Sequence, residues 1–389
     1  MREAELEREI FDEHHRVFRE SVREFVAREV SPHLAAWETA GSVGREVWRA
    51  AGKAGFLAMD QESAYGGGGE GDPRYHVIRD EEMARAGTLA PAFYVHGEVV
   101  GHHLGSLGDE EQKRRWLPGF CAGELIGAVA ITEPDAGSDV AAIRTTARRD
   151  ATGNYLISGR KTFVTHGSLA GLIVLAVRDL DAPTRGDRPA ATLLVLEPPL
   201  AGLTVGRSLP KIGNHAMDTV ELALDEVRVP AANVLGRPGM AFLYLMRNLR
   251  RERLSIAVTA LALAERVYEE TLAYCAGRQA FGRPIGRFQH NRFQLVEMAT
   301  ALKVARAFTD RCVLALVKGK LADEEAAMAK WWNTELCKDV TDRCVQLHGG
   351  YGYTTEYLAG RAFTMARAQT IFGGTTEIMK EIIGQTLPL

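Results

Sequence analysis

Glu252 lies in the run Leu249-Arg250-Arg251-Glu252-Arg253-Leu254-Ser255-Ile256, inside a stretch free of Gly and Pro from Ala241 to Ala276. The stretch predicts one long helix, with Phe242, Leu245, Leu249, Ile256, Ala260, Leu263 and Val267 recurring on one face. Glu252 falls on that face, after Leu249 and before Ile256. A carboxyl set among core positions loses hydration, which disfavours its charged form and raises its pKa. A raised carboxyl pKa is what a general base working near neutral pH needs. Periodicity leaves a second reading open, a Glu paired with a neighbouring Arg at a helix rim, because structural ion pairs outnumber catalytic acids.

Three other segments have residue types suited to a ligand. Thr132-Glu133-Pro134-Asp135-Ala136-Gly137-Ser138-Asp139 is dense in hydroxyls, acids and Gly, and reads equally as a polar cradle or a capped turn. Cys344 to Tyr353 joins a Gly-rich turn to aromatics. Ile371-Phe372-Gly373-Gly374-Thr375-Thr376-Glu377 places a Gly-Gly turn where a helix can start, and exposed amides there suit an anionic group. No spacing suggests a Ser-His-Asp arrangement, and no GxGxxG sits between a strand and a helix. The neighbours His14-His15 and His102-His103 are expected to point to different helix faces, so no metal site is expected. The five cysteines are scattered without a CxxC pair and read as reduced, buried thiols.

The elements that must position these groups fall into three blocks. Residues 1–127 read as a helical domain, with Phe11, Val17, Phe18, Val22, Phe25 and Val26 at helical spacing. The run Gly66-Gly67-Gly68-Gly69 lacks the Lys-Ser/Thr of a phosphate loop and reads as a flexible interhelical loop. In residues 128–236, Tyr155–Ile157, Leu172–Val177, Leu193–Leu196 and Val220–Val229 read as strands of a mostly antiparallel β domain. Residues 237–389 return to long helices, so the fold class is α+β. The net charge of -3 argues against nucleic acid as the main partner. The mixed, acidic stretch Met1 to Glu13 does not read as a secretory leader, and no run approaches the ~18 apolar residues of a membrane span. A bacterial cytoplasmic protein is the expectation.

Taken in order, Ala130-to-Asp139 (AITEPDAGSD), Gly159-to-Gly167 (GRKTFVTHG), Arg278-to-Gly282 (RQAFG), Gln346-to-Gly352 (QLHGGYG) and Gly373-to-Glu377 (GGTTE) resemble the acyl-CoA dehydrogenase family of flavoproteins. The likeness spans essentially the whole chain and is closest to the long-chain subfamily. It implies an N-terminal helical domain, a central β domain and a C-terminal four-helix bundle, with FAD between the last two. It further implies a homotetramer built as a dimer of dimers, an acyl-CoA substrate of medium, long or branched chain, and electron-transfer flavoprotein as the electron acceptor. An oxidase or monooxygenase on the same fold is the alternative, and a non-enzymatic acyl-CoA binding protein a remoter one.

Carried over residue by residue, the resemblance puts Ala130, Ile131, Thr132, Phe163, Val164 and Thr165 around the flavin ring, with Gly137 and Ser138 beside it. Arg278, Phe281 and Gln289, with Gln346, Leu347, His348, Gly349 and Gly350, would meet the pyrophosphate and adenosine portion across a subunit interface. Thr375, Thr376 and Glu377 would hold the cofactor on its own side. Ser138, Leu243, Arg253, Gly373 and Gly374 would contact the substrate. Most family members place the catalytic Glu immediately before the Gly-Thr of the last motif, where this chain has Gly373, which cannot act as a base. A minority place it at the position of Glu252, so the resemblance turns the open reading of Glu252 into that of the base. The Gly373 N–H would then face the thioester carbonyl, a kind of donor whose removal costs about 3–4 kcal/mol in other enzymes. Pro91 matches the subfamily at the pocket floor, whereas Tyr94 is larger and Leu243 smaller than its usual residues.

Overall fold

The computed structural model describes residues 8–183 and 190–388. The start of the chain, on which the leader reading rested, lies outside the described residues up to position 7. Helices α1 (Glu13–Phe25), α2 (Leu34–Ala40), α3 (Arg45–Lys53), α4 (Arg74–Arg85), α5 (His102–Leu107) and α6 (Glu110–Cys121) form the first lobe. The strands follow: β1 (Ile126–Ala130), β2 (Thr146–Arg149), β3 (Tyr155–Thr165), β4 (Ala170–Asp179), β5 (Ala191–Leu196), β6 (Leu203–Val205), β7 (Thr219–Val229) and β8 (Val234–Leu235). The third lobe holds α7 (Ala241–Gly277), the short hairpin β9 (Gln279–Ala280) and β10 (Arg283–Pro284), then α8 (Gln289–Val317), α9 (Asp323–His348), α10 (Leu358–Gln369) and α11 (Thr376–Gly384). The α+β organisation expected from the sequence is the one observed.

Most strand pairs in the sheet are antiparallel, in the order β6-β7-β3-β2-β4-β5-β8. Parallel pairing enters where β1 runs beside β4 and where β2 meets its end. β4 is buried on both faces because the sheet is covered on both. Leu172, Val174 and Ala176 pack with Trp116, Leu117 and Leu245 on one side, while Ile173, Leu175 and Val177 pack with Val220 and Leu222 on the other. A continuous apolar run is what such a doubly covered strand requires.

The helix carrying Glu252 runs through the centre of the molecule. At 37 residues, α7 spans about 55 Å at ~1.5 Å per residue. It contributes Leu245 to the sheet-side core, Leu254, Ala257 and Val258 to the N-terminal core, and Ala260 to Ala264 to the core among α8, α9 and α10. The single apolar face read from the sequence is therefore too narrow. From Arg253 to Ala264 every residue is buried, because helices pack on all sides.

Charged clamps fix the first lobe against this helix and its neighbours. Glu81 on α4 accepts from Arg8 at 2.7 Å, Arg19 at 2.8 Å and Arg306 of α8 at 2.6 Å. Asp60 binds Arg251 at 2.9 Å, and the Ser255 hydroxyl donates to Glu98. Arg251 and Ser255 flank Glu252 in sequence, so the rotation of α7 at Glu252 is set by the first lobe.

Two expectations need correction. The Gly66-to-Gly69 run is no flexible loop: the amides of Gly67, Gly68 and Gly69 bond Glu62, Ala58 and Gln61 carbonyls, and a Cβ on Gly67 would collide with the Gln61 carbonyl. Glycine is there because two backbone segments touch. His14 and His15 do not diverge, either. Their ring centroids lie 4.4 Å apart with the planes tilted by 39°, and with Asp12 they bring ligand-type atoms within 4.8 Å of one another. Arg74 already occupies Asp12 at 3.1 Å, and the Asp12 amide donates to His15 Nδ1 at 3.2 Å, so that cluster serves the start of α1. The replacement Gly67→Ala is expected to cost about 1–3 kcal/mol through overpacking, measured as a lowered denaturant midpoint.

Candidate active site

Glu252 and the Gly373–Gly374 turn, 121 residues apart in sequence from Glu252 to Gly373, meet in space. A Cβ built on Gly373 would stand 3.6 Å from Glu252 Oε1 and would collide with Ile256 Cδ1. With φ of +67 for Gly373 and +95 for Gly374, the turn suits glycine on backbone grounds too. A carboxylate thus faces a backbone turn that has no room for a side chain beside Ile256. Glu252 keeps partial solvent access yet is densely surrounded. Burial raises its pKa, and the positive charges of Arg253 and Lys330 only partly offset that rise. Among the described residues no ion pair holds it at a helix rim, and a raised pKa is what a general base would need.

Its neighbours are unusual for a protein interior. Arg253 is 6% exposed, its Nε has no hydrogen-bond partner, and burial lowers its pKa. Lys330, on α9, is fully buried and donates to the Gly374 carbonyl at 2.6 Å. Tyr94 comes from the first lobe, its pKa raised by burial and by the negative charge of Glu252. Leu243, at the first turn of α7, is 40% exposed. Sequence reasoning missed Lys330, although its spacing from the apolar positions Ala326, Ala327, Ala329 and Cys337 on one helix could have flagged it.

A second group is assembled around β1 and β3. Buried Lys161 bonds the Ile131 carbonyl at 2.9 Å and Glu133 Oε1 at 2.7 Å, while Thr162 N–H donates to the Thr132 carbonyl at 2.9 Å. Glu133 also accepts from the amides of Arg144 and Thr145 at 2.6 and 3.0 Å. Burial would raise the Glu133 pKa, but the Lys161 bond and those amides outweigh it and hold it below the usual range. The loop from Ile131 to Asp139 is thereby fixed, leaving Ile131, Thr132 and Thr165 half-buried and Gly137 and Ser138 exposed. Phe163 is 66% exposed at φ +56, so a large apolar ring stands open beside them. Ala130 and Val164 are buried in the sheet core, and their side chains are withdrawn from that surface.

A third group lines a cavity of about 820 Å³ at the far end of the helical lobe. Arg278, Gln346, Leu347, His348, Gly349 and Gly350 line it, together with Tyr274, His290 and Asn291. Nothing lies within 4 Å of a Cβ built on Gly349 or Gly350. His348 donates from Nδ1 to the Cys344 carbonyl at 2.8 Å, stacks on Tyr274, and leaves a buried Nε2 without a partner. Phe281, 94% exposed, and Gln289, exposed at the start of α8, lie outside the residues lining this cavity. In this cavity the glycine cradle and the orphaned imidazole nitrogen suit a phosphate-bearing group, and in the second group the open Phe163 ring suits a flat one.

At the start of α11, Thr375 caps the helix by accepting from Ile378 N–H at 3.3 Å, and Glu377 is exposed. Thr376 is turned inward: its hydroxyl donates to Glu335 at 2.7 Å and braces α11 on α9. Its side chain is a strut, and its amide already donates to the Thr370 carbonyl at 3.1 Å.

Three family models match the chain: acyl-CoA dehydrogenase N-terminal domain over residues 12–124, middle domain over 128–227 and C-terminal domain over 240–387. The mitochondrial long-chain specific acyl-CoA dehydrogenase of Sus scrofa is 42% identical over 381 residues, covering 98% of this chain and 88% of that protein. The crystal structure of an acyl-CoA dehydrogenase from Geobacillus kaustophilus superposes with a TM-score of 0.94 at 42% identity, covering 97% of this chain and 99% of that one. An acyl-CoA dehydrogenase from Bacillus anthracis, solved complexed with FAD, gives a TM-score of 0.90 at 28% identity, covering 97% of this chain and 67% of that one. Among the described residues, no helix is long and apolar enough to cross a membrane.

The buried Lys161–Glu133 pair yields a stability test. Glu133→Gln keeps the shape but leaves Lys161 buried without its counter-charge, which is expected to cost about 3–5 kcal/mol. Because its folded pKa is depressed, Glu133 contributes stability at neutral pH that is lost as pH falls through that value. Acid titration of the denaturant midpoint should therefore show a shallower loss in the variant than in the parent.

Proposed function

The chain belongs to the acyl-CoA dehydrogenase family, and on that premise we propose that it dehydrogenates an acyl-CoA thioester of medium, long or branched chain to the trans-2-enoyl-CoA, with Glu252 as the base. The observation that carries this reading is the approach of Glu252 Oε1 to Gly373, in surroundings that raise its pKa. Bound FAD would supply the hydride-accepting chemistry for the β-hydrogen.

The chain's own residues do the rest. The Glu252 carboxylate removes the α-proton, and the electrons of that C–H bond become the new double bond as the β-hydrogen leaves. Negative charge developing on the thioester oxygen is met by the Gly373 N–H. Ile131, Thr132, Phe163 and Thr165 would hold the flavin ring, with Thr375 and Glu377 on its own subunit. Arg278 and Gln346 to Gly350 would take the adenosine portion of a partner subunit's cofactor. The exposed apolar residues Phe293, Val296 and Val304 of α8 support a subunit interface there and a tetramer built from dimers. Electron-transfer flavoprotein is the acceptor we propose.

Anaerobic mixing of the yellow enzyme with short-, long- and branched-chain acyl-CoAs tests the reading. A subset should bleach the flavin, and electron-transfer flavoprotein should reoxidise it faster than O2. If no acyl-CoA bleaches it, the proposed reaction is wrong; faster reoxidation by O2 would make it an oxidase. In Glu252→Gln, FAD and acyl-CoA binding should persist while flavin reduction falls on the order of 10²–10⁴-fold. In the parent, reduction should rise with pH through a value above the usual carboxyl range, because protonated Glu252 cannot accept the α-proton. Arg278→Ala is expected to lose FAD on gel filtration with little change in the reduction rate of the fraction that keeps it.

A further inference from the structure

Lys330 is a charged group against this site to which the reaction, as described, gives no part. It projects from α9, is fully buried, and makes its hydrogen bond to a carbonyl, that of Gly374, at 2.6 Å. The charges acting on it are Arg253 and Glu252 from α7, Glu335 on its own helix and Glu377 on α11. Burial and then repulsion by Arg253 bring its pKa to about 8, so it is mostly an ammonium at neutral pH. A buried cation of this kind is costly, and a neutral side chain could fill the same volume.

Its location gives the charge two consequences. Gly374 and Gly373 share the turn that faces Glu252, so holding the Gly374 carbonyl fixes the backbone that presents the Gly373 N–H. The ammonium also acts on Glu252. Around Glu252 the ionisable groups are Arg253 on its own helix, Lys330 on α9 and Tyr94 from the first lobe. Beyond them, Glu98 is bound to Ser255 and Asp60 to Arg251. Before proton transfer the negative charge is on Glu252; after it, the charge is on the thioester oxygen beside Gly373. Lys330 stands against both positions.

We propose that Lys330 is a positioning residue for the dehydrogenation: its ammonium pins the Gly373–Gly374 turn and supplies the positive field in which Glu252 stays ionised and the enolate forms. The proposal rests on Glu252 being the base, and its test separates the two. Lys330→Gln keeps a donor for the Gly374 carbonyl and removes the charge; Lys330→Arg keeps the charge. Three properties are read on the FAD-loaded enzymes: FAD content, the pH profile of single-turnover flavin reduction, and the pH at which a bound 3-oxoacyl-CoA ionises to its enolate.

For Lys330→Gln, FAD content should match the parent. The acid limb of reduction and the enolate ionisation should both move upward by about one pH unit. Lys330→Arg should keep both near the parent values. A Lys330→Gln enzyme that is slower at every pH, with neither value moved, would overturn the proposal and leave Lys330 a strut. Should Lys330→Gln fail to fold, the arginine variant decides: parental values support the field, and shifted ones overturn it. If Glu252→Gln reduces flavin normally, the base assignment fails, while the enolate ionisation still reports on Lys330.

Discussion

In the proposed reaction Glu252 must be charged to act, yet it sits where burial works against its charge, and the groups around it bear on that conflict. Glu252 is placed at the point where α7 passes from half-buried to buried on all sides. Desolvation raises its pKa, making it a stronger proton acceptor once ionised, while Arg253 and Lys330 keep the ionised form accessible. Neither effect alone would serve. A fully compensated Glu would be a weak base, and an uncompensated one would remain protonated.

The same physical device appears twice. Lys161 and Lys330 are both fully buried, and each bonds the carbonyl of a loop whose neighbouring residues face the site, Ile131 in one case and Gly374 in the other. Each also has a carboxylate close by, Glu133 or Glu252. Loops that must stay open to a large ligand cannot be held by packing on their open side. A buried ammonium reaching from behind fixes the backbone without occupying that space. At larger scale, the Glu81 cluster and the Asp60–Arg251 and Glu98–Ser255 contacts do the same for whole helices, locking the first lobe against α7 and α8.

Much of this was legible in the chain. The Gly- and Pro-free run from Ala241 marked α7, and clusters of branched aliphatics marked β3, β4, β5 and β7. β1 was not marked, because Ile126-Gly127-Ala128-Val129-Ala130 is made largely of small residues and its partner β4 lies some 45 positions onward. The Glu252–Gly373 pairing was reached through resemblance, since nothing local in sequence joins residues so far apart. Lys330 was missed because a lysine reads as surface unless its helix is known to be packed on that side. The glycine run was misread for a related reason: close backbone approach leaves no periodic signal. Thr376 and Val164 matched motifs, yet helix and strand geometry turns their side chains inward.

Deuterium exchange at the α-carbon of a bound acyl-CoA, followed by mass spectrometry in anaerobic D2O, isolates the step on which everything else depends. The parent enzyme should wash deuterium into the α-position. The Glu252→Gln enzyme, with FAD and acyl-CoA still bound, should not. Undiminished exchange in that variant would contradict Glu252 as the base and direct the search to another group facing the Gly373 turn.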